Sequence, residues 1–183
     1  LSEQRKRPFL SRKINATAIT KEMLNNSAKT DAEENGVTNA NKASLAFCWE
    51  GGEDMKRILL MGDAVSSQVV TELNDIDDDR IWFEAVKVSH HGSKHNTSIE
   101  LNAKVDSAHY FFTGGKENEG PDIETVAKIA MKPLAEGIDQ RVIHYNHEKG
   151  INLWKELNKE KAIQLLNNYH TLLNTDNTYE FEY

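Results

Sequence analysis

Hydrophobic and polar positions alternate in short runs from residue 43 to the end of the chain, and the period of alternation changes from run to run. A period of two predicts strands, and apolar residues three and four positions apart predict helices. The expected strands are Ser44–Glu50, Lys56–Met61, Phe83–Val88, Ala108–Thr113, Gln140–Tyr145 and Thr178–Tyr183, the first two forming a hairpin. The expected helices are Val65–Leu73, Ser98–Ala103, Asp122–Met131 and Lys159–Leu173. This alternation predicts an α/β (α+β) layered domain.

Residues 1–40 lack a clear apolar period and are interpreted as a flexible or loop segment, which leaves residues 41–183 as the folded portion. A short helix over Ile14–Leu24 is expected, followed by a surface loop over Asn25–Asn41. The basic start, with Arg5, Lys6 and Arg7, is typical of a solvated arm. The more specific alternative is an arm that binds phosphate groups.

Composition narrows the class of protein. The chain has 183 residues and a formal net charge of -7, which argues against a general basic surface for duplex nucleic acid. Mean hydropathy is -0.64, and no apolar run approaches the roughly 20 residues that span a bilayer. We therefore predict no membrane segment and a cytoplasmic location. The single cysteine, Cys48, rules out an internal disulfide or a Cys-rich zinc site and is expected to be a small buried residue in its strand.

Chemically competent residues follow two of the expected strands directly. Gly62 and Asp63 follow the first, and His90-His91-Gly92 follows the second. A carboxylate can bridge two cations, imidazoles are common ligands of zinc-like metals, and strand ends fix such side chains rigidly. Alternatively, Asp63 caps the next helix and the histidines lie on the surface. The combination favours a metal or hydrolytic site.

These residues also carry a family resemblance. Asn41-Lys42-Ala43-Ser44-Leu45, then Ile58-Leu59-Leu60-Met61-Gly62-Asp63, then Val86-Lys87-Val88-Ser89-His90-His91-Gly92-Ser93 is similar to the second half of metallo-β-lactamase-fold hydrolases. The similarity is greatest to the branch that contains the hydrolase domain of competence DNA-uptake proteins and related phosphodiesterases. It covers about residues 41–131 and implies half of an αββα sandwich, a mixed sheet with flanking helices.

The resemblance implies roles for particular residues. Asp63 would bridge two divalent metal ions, Zn or Mn, and His90 would be a metal ligand. His91 and His90 would be catalytic, one of them contacting or protonating the leaving group. The metal pair would activate water. Asn41 and Ser44 would be structural and would open the strand that enters the core.

Two departures from the family pattern shape the functional hypothesis. The chain contains no H-x-H-x-D-H motif, and Gly120 stands where a late histidine ligand is expected, with Glu117, Glu119 or Asp122 as substitutes. We therefore expect an incomplete C-terminal portion of a longer hydrolase, an interpretation that the start at Leu1 prompts, or else a degenerate site.

The main functional hypothesis is a metal-dependent hydrolase of phosphodiester or other esters, either small molecules or nucleic acid. The alternative is a non-catalytic scaffold or protein-interaction module. An isolated half would expose a sheet edge or apolar face, so a missing N-terminal half, a separate partner chain or a homo-oligomer is expected to cover it. Among the other histidines, His95 is expected to line the same crevice, His109 to be packed locally, and His144 and His147 to be structural or exposed.

Overall fold

The computed structural model describes residues 21–76, 79–114, 121–146 and 159–174. A six-stranded mixed sheet forms its centre, with the order β1-β2-β4-β6-β7-β8. Its strands are β1 (Phe47–Gly51), β2 (Lys56–Leu60), β4 (Ala85–Lys87), β6 (His109–Phe112), β7 (Arg141–Tyr145) and β8 (Thr171–Asn174). β1 is antiparallel to β2, and each later pair is parallel. Two short strands, β3 (Ile81–Trp82) and β5 (Val105–Asp106), pair separately.

Helices connect the parallel strands. They are α3 (Ser66–Asn74), α4 (Ile99–Lys104), α5 (Ile123–Met131) and α6 (Lys159–Asn167). Two more, α1 (Lys21–Ala28) and α2 (Asn39–Lys42), precede the sheet, and α1 packs against α5. The predicted α/β layered class, a mixed sheet flanked by helices, is confirmed.

The hydrophobic core lies on one face of the sheet. One row of paired residues crosses all six strands and runs Cys48, Leu59, Val86, Tyr110, Ile143 and Leu173. The middle four of these residues are buried, and they join apolar residues of α3 to α6 in a single cluster. This packing fixes the register of the parallel strands, because a slip of one residue would turn the apolar row away from the helices.

The opposite face of the sheet is here named the open face. Its residues pair in the row Phe47, Leu60, Lys87, Phe111, His144 and Asn174, with Trp49 and Leu172 in the neighbouring row. Phe47 is 58% exposed, Trp49 46%, Leu60 43% and Leu172 39%. None of these residues belongs to the core cluster that the described helices build.

Several predicted elements need correction. The expected loop over Asn25–Asn41 instead contains the end of α1, a 3-10 turn at Glu34–Gly36, and α2. The expected helix Lys159–Leu173 ends at Asn167 and is followed by β8. Residues 1–20 and the expected strand Thr178–Tyr183 lie outside the described residues, so the domain boundary at residue 40 stays a prediction.

Cys48 is exposed, and the prediction that it is buried is wrong. The reason is position, since β1 is the edge strand and all of its residues except the half-buried Gly51 are exposed. A period of two shows that a segment is a strand, but it does not show whether helices reach that strand.

Candidate functional site

The turns that carry Asp63 and the two histidines lie side by side. They follow β2 and β4, which are parallel neighbours with Leu60 paired to Lys87, so their carboxyl ends meet at one edge of the sheet. The turns also bond directly, since the His90 N–H donates to the Gly62 carbonyl at 2.9 Å. The structure therefore brings together the two motifs that the sequence analysis selected.

The turn after β2 requires glycine at position 62. Gly62 has φ +51°, and a Cβ there would lie 2.8 Å from both the Leu45 carbonyl oxygen and the Ser44 Oγ. The same Ser44 hydroxyl accepts a hydrogen bond from the Asp63 N–H at 2.9 Å. Ser44 thus holds the backbone of Asp63 in place, and its hydroxyl lies so close to the turn that only glycine fits at position 62.

The turn after β4 has an uncommon backbone. His90 and His91 have φ +44° and +54°, and Gly92 has φ +87°. The left-handed conformation costs a non-glycine residue about 1–2 kcal/mol and persists where the surroundings hold it, often at functional sites. Asp122 anchors the end of this turn, because its N–H donates to the Gly92 carbonyl at 3.0 Å and its carboxylate accepts the Lys94 N–H at 2.8 Å.

The ring of His90 lies between two asparagines. Its Nδ1 is 3.0 Å from Asn96 Oδ1, and Asn41 Nδ2 lies 3.3 Å from Nδ1 and 3.4 Å from Nε2. Asn41 belongs to α2, and β1 begins only at Phe47, so the prediction that Asn41 and Ser44 open a core strand is wrong. Both residues contact the candidate site instead.

His91 is held by a different partner. Its Nδ1 forms a short hydrogen bond with the Thr113 carbonyl oxygen, beyond the end of β6. Because a carbonyl oxygen only accepts, Nδ1 carries the proton and Nε2 keeps its lone pair. The rings of His90 and His91 are 6.0 Å apart between centroids and tilted by 58°.

The carboxylate of Asp63 makes no hydrogen bond with any residue in the described ranges, although its backbone N–H and carbonyl are both bonded. Lys87 lies nearby and donates from Nζ to the Gly62 carbonyl at 3.0 Å. Burial lowers the pKa of the Lys87 ammonium, and the charge of Asp63 opposes that shift. The site therefore holds a carboxylate and an ammonium whose charges interact, although the described residues show no direct ion pair between them.

Sequence reasoning assigned no role to Lys87 or Asn96. Lys87 had a usable signal, a charged residue inside the apolar run Phe83–Val88. Asn96 had none, because a buried asparagine in a polar loop looks the same in sequence as an exposed one.

The other histidines lie in different surroundings. His95 bonds through Nδ1 to the Glu33 carbonyl at 3.0 Å, so its ring is directed to the segment before α2. His109 Nδ1 lies 3.0 Å from His144 Nε2, in line with the local packing expected for His109. His144 is 4% exposed, and burial together with His109 lowers its pKa to about 4. His147 and Gly120 lie outside the described residues.

The donors for a metal ion are incomplete in the described part of the chain. No group of three or more histidine, cysteine, aspartate or glutamate side chains there is placed to hold a metal ion. A structural zinc site takes four protein ligands and a catalytic one takes three. Asp63 and His90 alone therefore do not make a metal centre.

Comparison with known proteins gives no further assignment, since no protein-family model, curated protein or solved structure matches the chain. Within the ranges that the structure describes, no helix is both long enough and apolar enough to cross a membrane.

Proposed function

We propose that the chain is the C-terminal portion of a metal-dependent hydrolase of the metallo-β-lactamase superfamily, acting on phosphodiester or other ester bonds. The observation that carries this proposal is the convergence of three sequence-distant segments. Ser44 bonds the backbone of Asp63, and Asn41 and the Gly62 carbonyl both contact His90. These segments are the same three that carry the family resemblance.

The open face of the sheet supports the view that this portion is incomplete. Sheets built of parallel strands usually have both faces covered, and the described helices contribute to the core on one face only. A second sheet packed about 10 Å away, as in an αββα sandwich, would cover Phe47, Leu60 and Leu172. The complementary half, in the same polypeptide or in a partner chain, would supply that sheet.

The same half would supply the metal ligands that are missing here. Asp63 would bridge the two metal ions, Zn or Mn, and His90 would add an imidazole through Nε2. When bound, the metal ions would activate a water molecule and offset charge on the scissile group. His91, whose Nε2 also keeps its lone pair, would contact the leaving group.

The proposed substrate is an anionic ester, either a small molecule or a nucleic acid. The net charge of -7 does not oppose this, because the site's own cations would meet the substrate. Lys87 beside Asp63 adds a positive charge at that edge of the sheet. A cytoplasmic location belongs to the same proposal, since one cysteine, Cys48, needs no oxidising compartment.

The test measures bound metal and turnover in the complete polypeptide that contains this chain. We expect zinc or manganese by elemental analysis and hydrolysis of bis(p-nitrophenyl) phosphate. Asp63→Asn should lower turnover by at least about 100-fold with its melting temperature nearly unchanged, because the carboxylate makes no hydrogen bond in the described ranges. Asp139→Asn, at an exposed position, is the matched control. Full turnover in Asp63→Asn would refute the role of Asp63.

A non-catalytic scaffold or protein-interaction module with a degenerate metal site is the second candidate. The incomplete ligand set of the described residues and the apolar open face favour it. Metal content separates the two functions. A complete polypeptide without zinc or manganese, inactive on phosphate esters but bound stably to another protein, would support the module and exclude the hydrolase.

A further inference from the structure

Asn96 is completely buried between the two turns of the candidate site, with 0% exposure. Its Nδ2 donates to the Asp63 carbonyl at 3.0 Å and to the Ala64 carbonyl at 3.2 Å. Carbonyl oxygens only accept, so these two bonds fix which end of the amide is nitrogen. The other end, Oδ1, therefore faces Nδ1 of His90 at 3.0 Å.

This orientation determines the tautomer of His90. An amide oxygen also only accepts, so the bond to Asn96 requires a proton on Nδ1 of His90. In the neutral ring the lone pair then belongs to Nε2. The assignment rests on Asn96 and not on Asn41, because Asn41 Nδ2 lies almost equally far from the two ring nitrogens, 3.3 Å from Nδ1 and 3.4 Å from Nε2.

We propose that Asn96 is a positioning residue that holds His90 as the Nδ1–H tautomer and keeps Nε2 available as a ligand or proton acceptor. The inference about the tautomer stands on the geometry alone, and what Nε2 meets rests on the proposed function. Histidine ligands of metal ions commonly donate their second ring N–H to a fixed acceptor, and a buried amide serves that purpose here.

Asn96 also links the two turns mechanically. It joins the backbone of Asp63 to the ring of His90, so the same side chain that sets the tautomer also sets the separation of the two residues. The Ala64 carbonyl has a second donor, the Ser89 hydroxyl at 2.6 Å, whereas Asn96 is the only donor to the Asp63 carbonyl among the described residues. Loss of Asn96 should therefore affect Asp63 and His90 together.

The test reads the tautomer directly by NMR. Long-range ¹H–¹⁵N correlation on the ¹⁵N-labelled chain, at about pH 8.5 where imidazoles are neutral, distinguishes the protonated ring nitrogen from the unprotonated one. We expect His90 to be protonated at Nδ1. Asn96→Leu, which removes the acceptor but keeps the branched shape of the side chain, should shift His90 towards the Nε2–H form, and Asn96→Asp, which keeps an acceptor, should retain Nδ1–H.

Two internal controls accompany the measurement. His91 takes its acceptor from Thr113 and should stay protonated at Nδ1 in every variant. Asn102→Leu removes a different asparagine bond, from Nδ2 to the Lys128 carbonyl, and should leave His90 unchanged.

An Nε2–H tautomer of His90 in the unsubstituted chain would overturn the inference, even if Asn96→Leu fails to fold. A folded Asn96→Leu chain that keeps Nδ1–H would also overturn it. Failure of the proposed function would give a different result, namely the expected tautomers in a complete polypeptide that holds no metal and hydrolyses no ester.

Discussion

At the scale of single residues, glycine is required at the candidate site for two separable reasons. One is conformation, because Gly62 has a positive φ. The other is space, because a Cβ at Gly62 would meet the Leu45 carbonyl and the Ser44 Oγ. Gly52, in the β1–β2 turn, has φ +80° but no atom within 4 Å of the same point. Substitutions at these two positions therefore separate the cost of backbone strain from the cost of a steric clash.

We expect Gly62→Ala to lower the free energy of unfolding by roughly 2–4 kcal/mol, since it adds a steric clash to backbone strain. Gly52→Ala should lower it by only about 1–2 kcal/mol, which is the cost of the left-handed conformation. Urea titration followed by circular dichroism measures both. Equal losses in the two variants would mean that the approach of Leu45 and Ser44 to the turn is not what requires glycine at position 62.

At the scale of strands and helices, the sequence predicts elements well where the apolar period is strong and continuous. The helix expected at Val65–Leu73 forms at Ser66–Asn74, and that expected at Asp122–Met131 forms at Ile123–Met131. The prediction failed at β8 because Leu172 and Leu173 continue the apolar period of the preceding helix. The backbone leaves the helix before β8 through the left-handed His170, and no change in the pattern of apolar residues marks that point.

The helix α1 was predicted only in part, for a different reason: the helix expected over Ile14–Leu24 overlaps it from Lys21 to Leu24, and the rest of α1 was expected to be a loop. Its sequence is mostly polar, and it is stabilised by contacts distant in the chain. Leu24 is 1% exposed, α1 packs against α5, and the Asp31 carboxylate that follows α1 accepts the Ile99 N–H at the start of α4 at 2.8 Å. Tertiary packing of this kind overrides local propensity and cannot be read from an isolated segment.

A buried histidine also links three neighbouring strands. His144 of β7 lies 3.0 Å from His109 of β6 and 3.2 Å from Asn174 of β8, measured between nitrogens, and stacks on Phe111 at 4.2 Å between centroids. Burial and the proximity of His109 lower the pKa of His144 to about 4 from 6.5. The folded state therefore disfavours the proton that the unfolded chain binds.

The sign of the pH dependence follows. Between pH 6.5 and about 4 the unfolded chain binds more protons at His144 than the folded chain does, so stability falls as the pH falls through this window. We expect His144 to contribute a loss of roughly 2–4 kcal/mol, and His144→Gln to flatten this part of the profile. Urea unfolding at a series of pH values measures it. His170→Asn, at an exposed histidine, should keep the slope, and a slope equally steep in His144→Gln would contradict the assignment.

At the scale of the whole molecule, the candidate site could be predicted in part. Asp63, His90 and His91 were selected because they follow strands, and the structure places their turns beside each other at the carboxyl ends of β2 and β4. The supporting residues could not be predicted, because Asn96 bonds Asp63 33 positions away in the chain and Asn41 contacts His90 49 positions away. Such contacts exist only after the sheet has formed.

The open face is also a property of the whole molecule, because it results from the direction in which successive strands are added to the sheet. Every parallel strand is added on the same side of its predecessor, in the order β2, β4, β6, β7 and β8. Right-handed crossovers with a constant direction of advance place all connecting helices on one face. At β1, β2 and β8 the other face exposes apolar side chains, although His144 in the same face is buried, and an exposed apolar sheet surface promotes association.

We therefore expect the chain on its own to self-associate through the open face. Leu60→Glu, at a position that is 43% exposed, should shift sedimentation velocity profiles from oligomer towards monomer at equal protein concentration, with little change in melting temperature. Ile76→Glu is the matched control, because Ile76 is 47% exposed but follows α3 and belongs to none of the strands. If both variants and the unsubstituted chain sediment as the same monomer at concentrations of about 100 μM, the open face does not drive self-association. The case for a missing sheet layer would then depend on the site residues alone.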